Sequence, residues 1–157
     1  MNSLKRRTFL KGTAAISSVG FALGAGLLTP RMVLAAWPQS AFESKSVDDA
    51  LNNLAGSADL SSNEQIQIRA PDIAENGNVV PITVETNIAN IESISILTEK
   101  NASPLTASFV LGAGAEGFVA TRMKMGKTSD VIAVVKADGK LHSTRKEVKV
   151  TIGGCGG

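Results

Sequence analysis

From residue 66 onward the chain is a succession of short runs rich in Val, Ile and Thr, each closed by turn residues. Runs of this length at regular spacing, with few helical patterns among them, leave little open except a sheet protein. Ile66-Gln67-Ile68-Arg69 alternates and ends at Pro71. Val79 to Thr86 carries Ile82 and Val84 on one side, with Thr83 and Glu85 on the other. Ile91, Ile94, Ile96 and Leu97 mark the next run, and Leu105 to Leu111 follows Ser103-Pro104. Gly117 to Met125, Asp130 to Lys136 and Lys140 to Ile152 complete the set. Asn76-Gly77 and Asp138-Gly139 are tight-turn dipeptides, the second set squarely between two strands. The pattern predicts an all-β fold, an antiparallel sandwich of about seven strands. Aromatics are few, so its core is expected from Val, Ile, Leu and Ala.

One helix precedes the strands. Ser46 is placed to cap it, Asp48 and Asp49 fall in its first turn, and Val47, Ala50, Leu51 and Leu54 share a face. Gly56 is the expected stop. The apolar face predicts packing against the sheet. Gly112 to Gly117 has the glycine content of a phosphate-binding loop. It precedes a strand rather than a helix and lacks the Lys-Ser/Thr such a loop needs, so it reads as a connection.

The amino terminus has the layout of an export signal. Lys5-Arg6-Arg7-Thr8-Phe9-Leu10-Lys11 is followed by an uncharged stretch from Gly12 to Pro30, then Arg31 and Val33-Leu34-Ala35-Ala36. A basic start, a mildly apolar middle and small residues at the cut define such segments. The pair Arg6-Arg7 resembles the twin-arginine signal, by which bacteria export folded proteins. The middle is too rich in Gly, Ala and Ser for a membrane span, which wants about 20 strongly apolar residues. Residues 1–36 are therefore expected to be a signal peptide, cut after Ala35 or Ala36. Residues 37–152 are expected to form one domain in the periplasm, with 153–157 as a tail. Without the signal the chain has eleven basic and fourteen acidic residues, a net charge of −3. No basic stripe remains to suggest nucleic-acid binding.

That tail, Gly153-Gly154-Cys155-Gly156-Gly157, contains the only cysteine. Glycine lacks a Cβ and visits nearly all of backbone space, so Gly153, Gly154, Gly156 and Gly157 predict a flexible arm around one thiol. A lone cysteine in an exported protein has no internal disulfide partner, which signals intermolecular pairing or a reactive thiol. His142 is the only histidine and is expected at the surface; no Cys/His spacing suits a metal, and neither metal nor cofactor is expected. No nucleophile motif or acid/base pair suggests an enzyme. A free thiol has a pKa near 8.5, and glycines supply no charge to lower it. Activation of Cys155 must come from partners whose sites the arm enters, which is the logic of a covalent carrier.

The twin-arginine signal, an all-β domain of this length and the terminal Gly-Gly-Cys-Gly-Gly together resemble the SoxY family, the sulfur-carrier subunits of the bacterial thiosulfate-oxidising Sox system. The resemblance covers essentially the whole chain, and the terminal pentapeptide is its most specific part. It implies an immunoglobulin-like sandwich paired with SoxZ, a second β-sandwich subunit. It also implies that Cys155 holds sulfur intermediates covalently. In that cycle the haem protein SoxAX joins thiosulfate to the thiol, SoxB hydrolyses off sulfate, and SoxCD, where present, oxidises the remaining sulfane sulfur. Two other readings stay open on the residues. A ubiquitin-like sulfur carrier also ends in Gly-Gly, but it needs cytoplasmic ATP and leaves Cys155 unexplained. An exported sandwich module that dimerises through a Cys155 disulfide needs the same exposed thiol.

Overall fold

In a computed structural model, residues 38–151 are described. Two helices, α1 (Gln39–Glu43) and α2 (Val47–Ala55), precede the strands. These are β1 (Ser61–Ser62), β2 (Ile66–Arg69), β3 (Ile73–Ala74), β4 (Val80–Thr86), β5 (Ile91–Thr98), β6 (Leu105–Val110), β7 (Phe118–Met123), β8 (Ser129–Ala137) and β9 (Lys140–Val150). The larger sheet runs β1-β9-β8-β5-β6, with β3 also paired to β9, and the smaller runs β2-β4-β7. Of the seven longer strands, the first, second and fifth share one sheet and the rest share the other. This is the division of an immunoglobulin-like sandwich whose fourth strand pairs with the third. The expected all-β sandwich is present.

Period-two patterning explains how the layers meet. In β4, Val80, Ile82 and Val84 are buried while Pro81 is exposed and Thr83 and Glu85 are half-buried. Between the sheets, Ile94 and Ile96 of β5 and Val131, Ala133 and Val135 of β8 join Val84 and Val148 in one core. The opposite face of β8, Ile132 and Val134, lies in a second core with Leu51, Ala50 and Leu141 beneath the helices. Strand β8 is thus buried on both faces, and its run Val131 to Val135 is continuously apolar as that burial requires. The apolar residues of β9 serve both layers: Leu141 faces the helices and Val148 the inter-sheet core. Each fully buried Val, Leu or Ile contributes about 1.5–3 kcal/mol of transfer free energy.

Local chemistry sets the ends of the elements. The Ser46 hydroxyl accepts from Asp49 N at 3.1 Å, and acidic Asp48 and Asp49 sit at the positive end of α2. Gly56 stops the helix with φ of 77°, and its N–H donates to Asn52 O at 2.9 Å. Asp138 and Gly139 both have positive φ, 50° and 70°, as the two-residue turn between β8 and β9 demands. Asn76-Gly77 does not join a hairpin. Its Asn76 side chain instead accepts from Asn78 N at 2.8 Å and shapes the loop before β4.

Three features depart from expectation. Helix α1 and the two-residue strands β1 and β3 were not predicted, because none is long enough to show a period. Strands β1 and β3 pair with β9 in parallel, so the sandwich is not purely antiparallel. His142 is half-buried rather than on the surface, since it sits within β9 between Val135 of β8 and Ser61 of β1.

Candidate functional site

The predicted carrier residue Cys155 and its neighbours Gly153, Gly154, Gly156 and Gly157 lie outside the described residues, as do Arg6 and Arg7 of the signal. What the structure describes is the root from which residues 152–157 continue. There β9 ends against β3. Lys149 N donates to Asp72 O at 3.0 Å, and Thr151 N donates to Ala74 O at 3.1 Å. The Thr151 hydroxyl donates to Glu75 O at 3.1 Å, and Val150 N donates to the Thr128 hydroxyl at 3.0 Å. Lys146 fastens the same segment, with Nζ 2.7 Å from Ala70 O and 3.0 Å from Asp72 Oδ1. The root is therefore tied on both sides up to Thr151.

The surrounding loops are tied to one another. Asn101 donates from Nδ2 to Lys124 O at 2.8 Å, and its Oδ1 accepts from Gly126 N at 3.1 Å. Lys100 N donates to the Ser129 hydroxyl at 3.0 Å, and Met125 N to Gly77 O at 2.7 Å. The sequence gives no hint of these ties, because Asn101, Thr128 and Thr151 are polar residues in ordinary turn and strand positions. Only long-range pairing brings them to one end.

Among the described residues no group of His, Cys, Asp and Glu is placed to hold a metal ion. An open cleft of about 230 Å³ lies on the outer face of the larger sheet beside α2. It is lined by Leu51, Leu54, Val110 and Val134 together with Ser95 and Ser108, whose hydroxyls pair at 3.0 Å. At its rim Glu92 binds Lys136 at 2.9 Å and accepts from Gly139 N at 2.9 Å. The Lys136 hydrogen bond, then that of Gly139, holds the exposed Glu92 carboxyl below its ordinary value of 4.5. This is the opposite of what a general acid needs. The glycine-rich loop 112–117 is a connection between β6 and β7, as expected.

The model of the family described as "Sulfur oxidation protein SoxY" matches residues 51–155. The sulfur carrier protein SoxY of Chlorobium limicola f thiosulfatophilum is 46% identical, with a TM-score of 0.63 over 68% of this chain and 97% of that one. A superoxide reductase (neelaredoxin) of Ignicoccus hospitalis is 16% identical, with a TM-score of 0.51 over 58% of this chain and 94% of that one. At that identity the second likeness concerns the fold alone. The comparison with curated proteins finds no match.

Proposed function

The chain belongs to the SoxY family, and from that premise we propose that it carries thiosulfate-derived sulfur covalently on Cys155 and presents it to separate enzymes. One observation carries the reading: the family match runs through residue 155, so the lone thiol falls inside the matched region. The mounting is consistent with it, because β9 is tied up to Thr151 and only glycines flank the thiol. In the loading step the Cys155 thiol loses its proton and forms an S–S bond to the outer sulfur of thiosulfate. The two electrons released pass to a haem partner, SoxAX. Water then cleaves the terminal S–S bond under SoxB, releasing sulfate and leaving a persulfide. SoxCD, where present, oxidises that remaining sulfur. The protein itself supplies the nucleophile and its reach, not the catalysis. Substituting Cys155 by serine tests this reading, and thiosulfate turnover should disappear.

We infer further that residues 1–36 direct export through Arg6 and Arg7, and that the folded domain works in the periplasm as a heterodimer with SoxZ. Among the described residues β6 and β7 are edge strands, whose outer backbone groups a second β domain can cover. Fractionation of the native host followed by sizing tests both points. The protein should be periplasmic, in a one-to-one complex, and should stay in the cytoplasm when both arginines are changed to lysine. Periplasmic accumulation of that variant, or a stable monomer in the native extract, would count against the respective point.

A further inference from the structure

A strand at the edge of a sheet offers a row of unpaired backbone groups, and proteins that leave one in solvent blunt it with charge, proline or cover. Among the described residues the larger sheet ends in β1 and β6 and the smaller in β2 and β7. Strand β1 has only two residues, β2 carries Arg69 and β7 carries Arg122. Strand β6 has six residues, Leu-Thr-Ala-Ser-Phe-Val, with neither charge nor proline. No charged residue occurs anywhere between Lys100 and Glu116. Of the four edges, β6 is the long one left without a defence.

Pairing with β5 fixes which of its groups are open. Leu111 N donates to Glu92 O at 2.9 Å, and Ser108 and Val110 stand opposite Ser95 and Ser93. Backbone groups alternate in direction along an antiparallel strand, so the N–H and C=O of Ser108 and Val110 point away from β5. Val110 is 87% accessible, the most exposed large apolar side chain among the described residues. The side chains of the same two residues line the cleft beside α2, together with Leu54 and Val134. Open backbone groups and an apolar recess therefore lie side by side on one strand.

We propose that β6, and not β7, is the edge on which the SoxZ subunit docks, by adding an extended, uncharged strand to the larger sheet. The added strand pairs with Ser108 and Val110 through its backbone, as in other cases of strand addition. Neighbouring strands lie about 4.8 Å apart with alternate side chains on the same face. One apolar side chain of the added strand thus enters the cleft against Leu54 and Val110. The occupant is a strand because another extended backbone matches a row of outward N–H and C=O groups. It is uncharged because β6 presents no charge for it to pair with. This rests on the heterodimer reading and assigns the edge that reading leaves open.

The test places proline at matched positions on the two edges and measures SoxZ binding by titration calorimetry. Val110→Pro removes an outward N–H from β6 without breaking a bond to β5. Ala120→Pro does the same on β7, where Thr86 N donates to Gly117 O at 2.8 Å and exposed Ala120 points its backbone groups away from β4. Val110→Pro should weaken SoxZ binding about tenfold or more, the effect of leaving a carbonyl of the added strand unpaired. Ala120→Pro should leave the affinity unchanged. Val110→Lys keeps the β6 backbone and sets a charge at the mouth of the cleft. It should weaken binding as well, so the result does not depend on how β6 tolerates proline. Unchanged affinity in either Val110 variant, or a larger loss in Ala120→Pro, would overturn the assignment of β6 while leaving the heterodimer standing. So would a dimer of this chain alone that Val110→Lys dissociates with SoxZ binding unaffected. No binding of SoxZ by the unsubstituted protein would overturn the heterodimer and this edge with it.

Discussion

Cys155→Ser should reduce thiosulfate-dependent turnover to the background of the partner enzymes alone, with no change in thermal stability. The loss follows from chemistry. A thiol with pKa near 8.5 supplies a reactive thiolate fraction at neutral pH, whereas a serine hydroxyl cannot form the S–S bond that loading requires. No second thiol exists to substitute for it. Stability should hold because both cores are built from residues between Ala41 and Val150, before the arm begins. Substitutions away from packed cores, caps and buried polar networks ordinarily stay within about 0.5 kcal/mol. Rates in the reconstituted system and a thermal melt check both halves. Turnover at the unsubstituted rate would remove Cys155 from the mechanism.

The second large effect falls on Gly117. A Cβ built there would lie 2.4 Å from the Thr86 carbonyl oxygen and 2.7 Å from Ile91 Cδ1. The same glycine accepts a backbone hydrogen bond from Thr86 N at 2.8 Å, where β7 meets the end of β4. Because the nearest obstacle is backbone, Gly117→Ala must shift one strand against the other. We expect a loss of about 2–3 kcal/mol, the upper part of the range for overpacking. For a domain of this size that lowers the melting temperature by roughly 8–12 °C. Gly112→Ala, in the same loop, meets nothing within 4 Å and should be close to neutral. Equal melting temperatures for the two variants would mean that the Gly117 contact is not tight.

These two positions show what could be read from the sequence. The seven longer strands, the Ser46 cap, the Gly56 stop and the Asp138-Gly139 turn are local features, and each is where period and turn chemistry place it. Gly117 looked like any residue of a glycine-rich connection. Its constraint comes from Thr86 and Ile91, far away in sequence. The root of the arm was opaque for the same reason. Strand β3 has two residues and no period, and its value lies only in pairing with Lys149 and Val150. The half-burial of His142 likewise reflects neighbours on β8 and β1 rather than its polar sequence surroundings. The proposed carrier residue, Cys155, needs no tertiary context to be singled out: one thiol among glycines is visible in the letters.

The central claim is that sulfur from thiosulfate is held on Cys155. Peptide mass spectrometry under non-reducing conditions, on protein isolated from cells oxidising thiosulfate, tests it most directly. The account predicts that the carboxy-terminal peptide carries thiosulfate-derived sulfur on Cys155, as the S-thiosulfonate or the persulfide, removed by reductant. A peptide found only as the free thiol, or only as a Cys155–Cys155 disulfide, would contradict it.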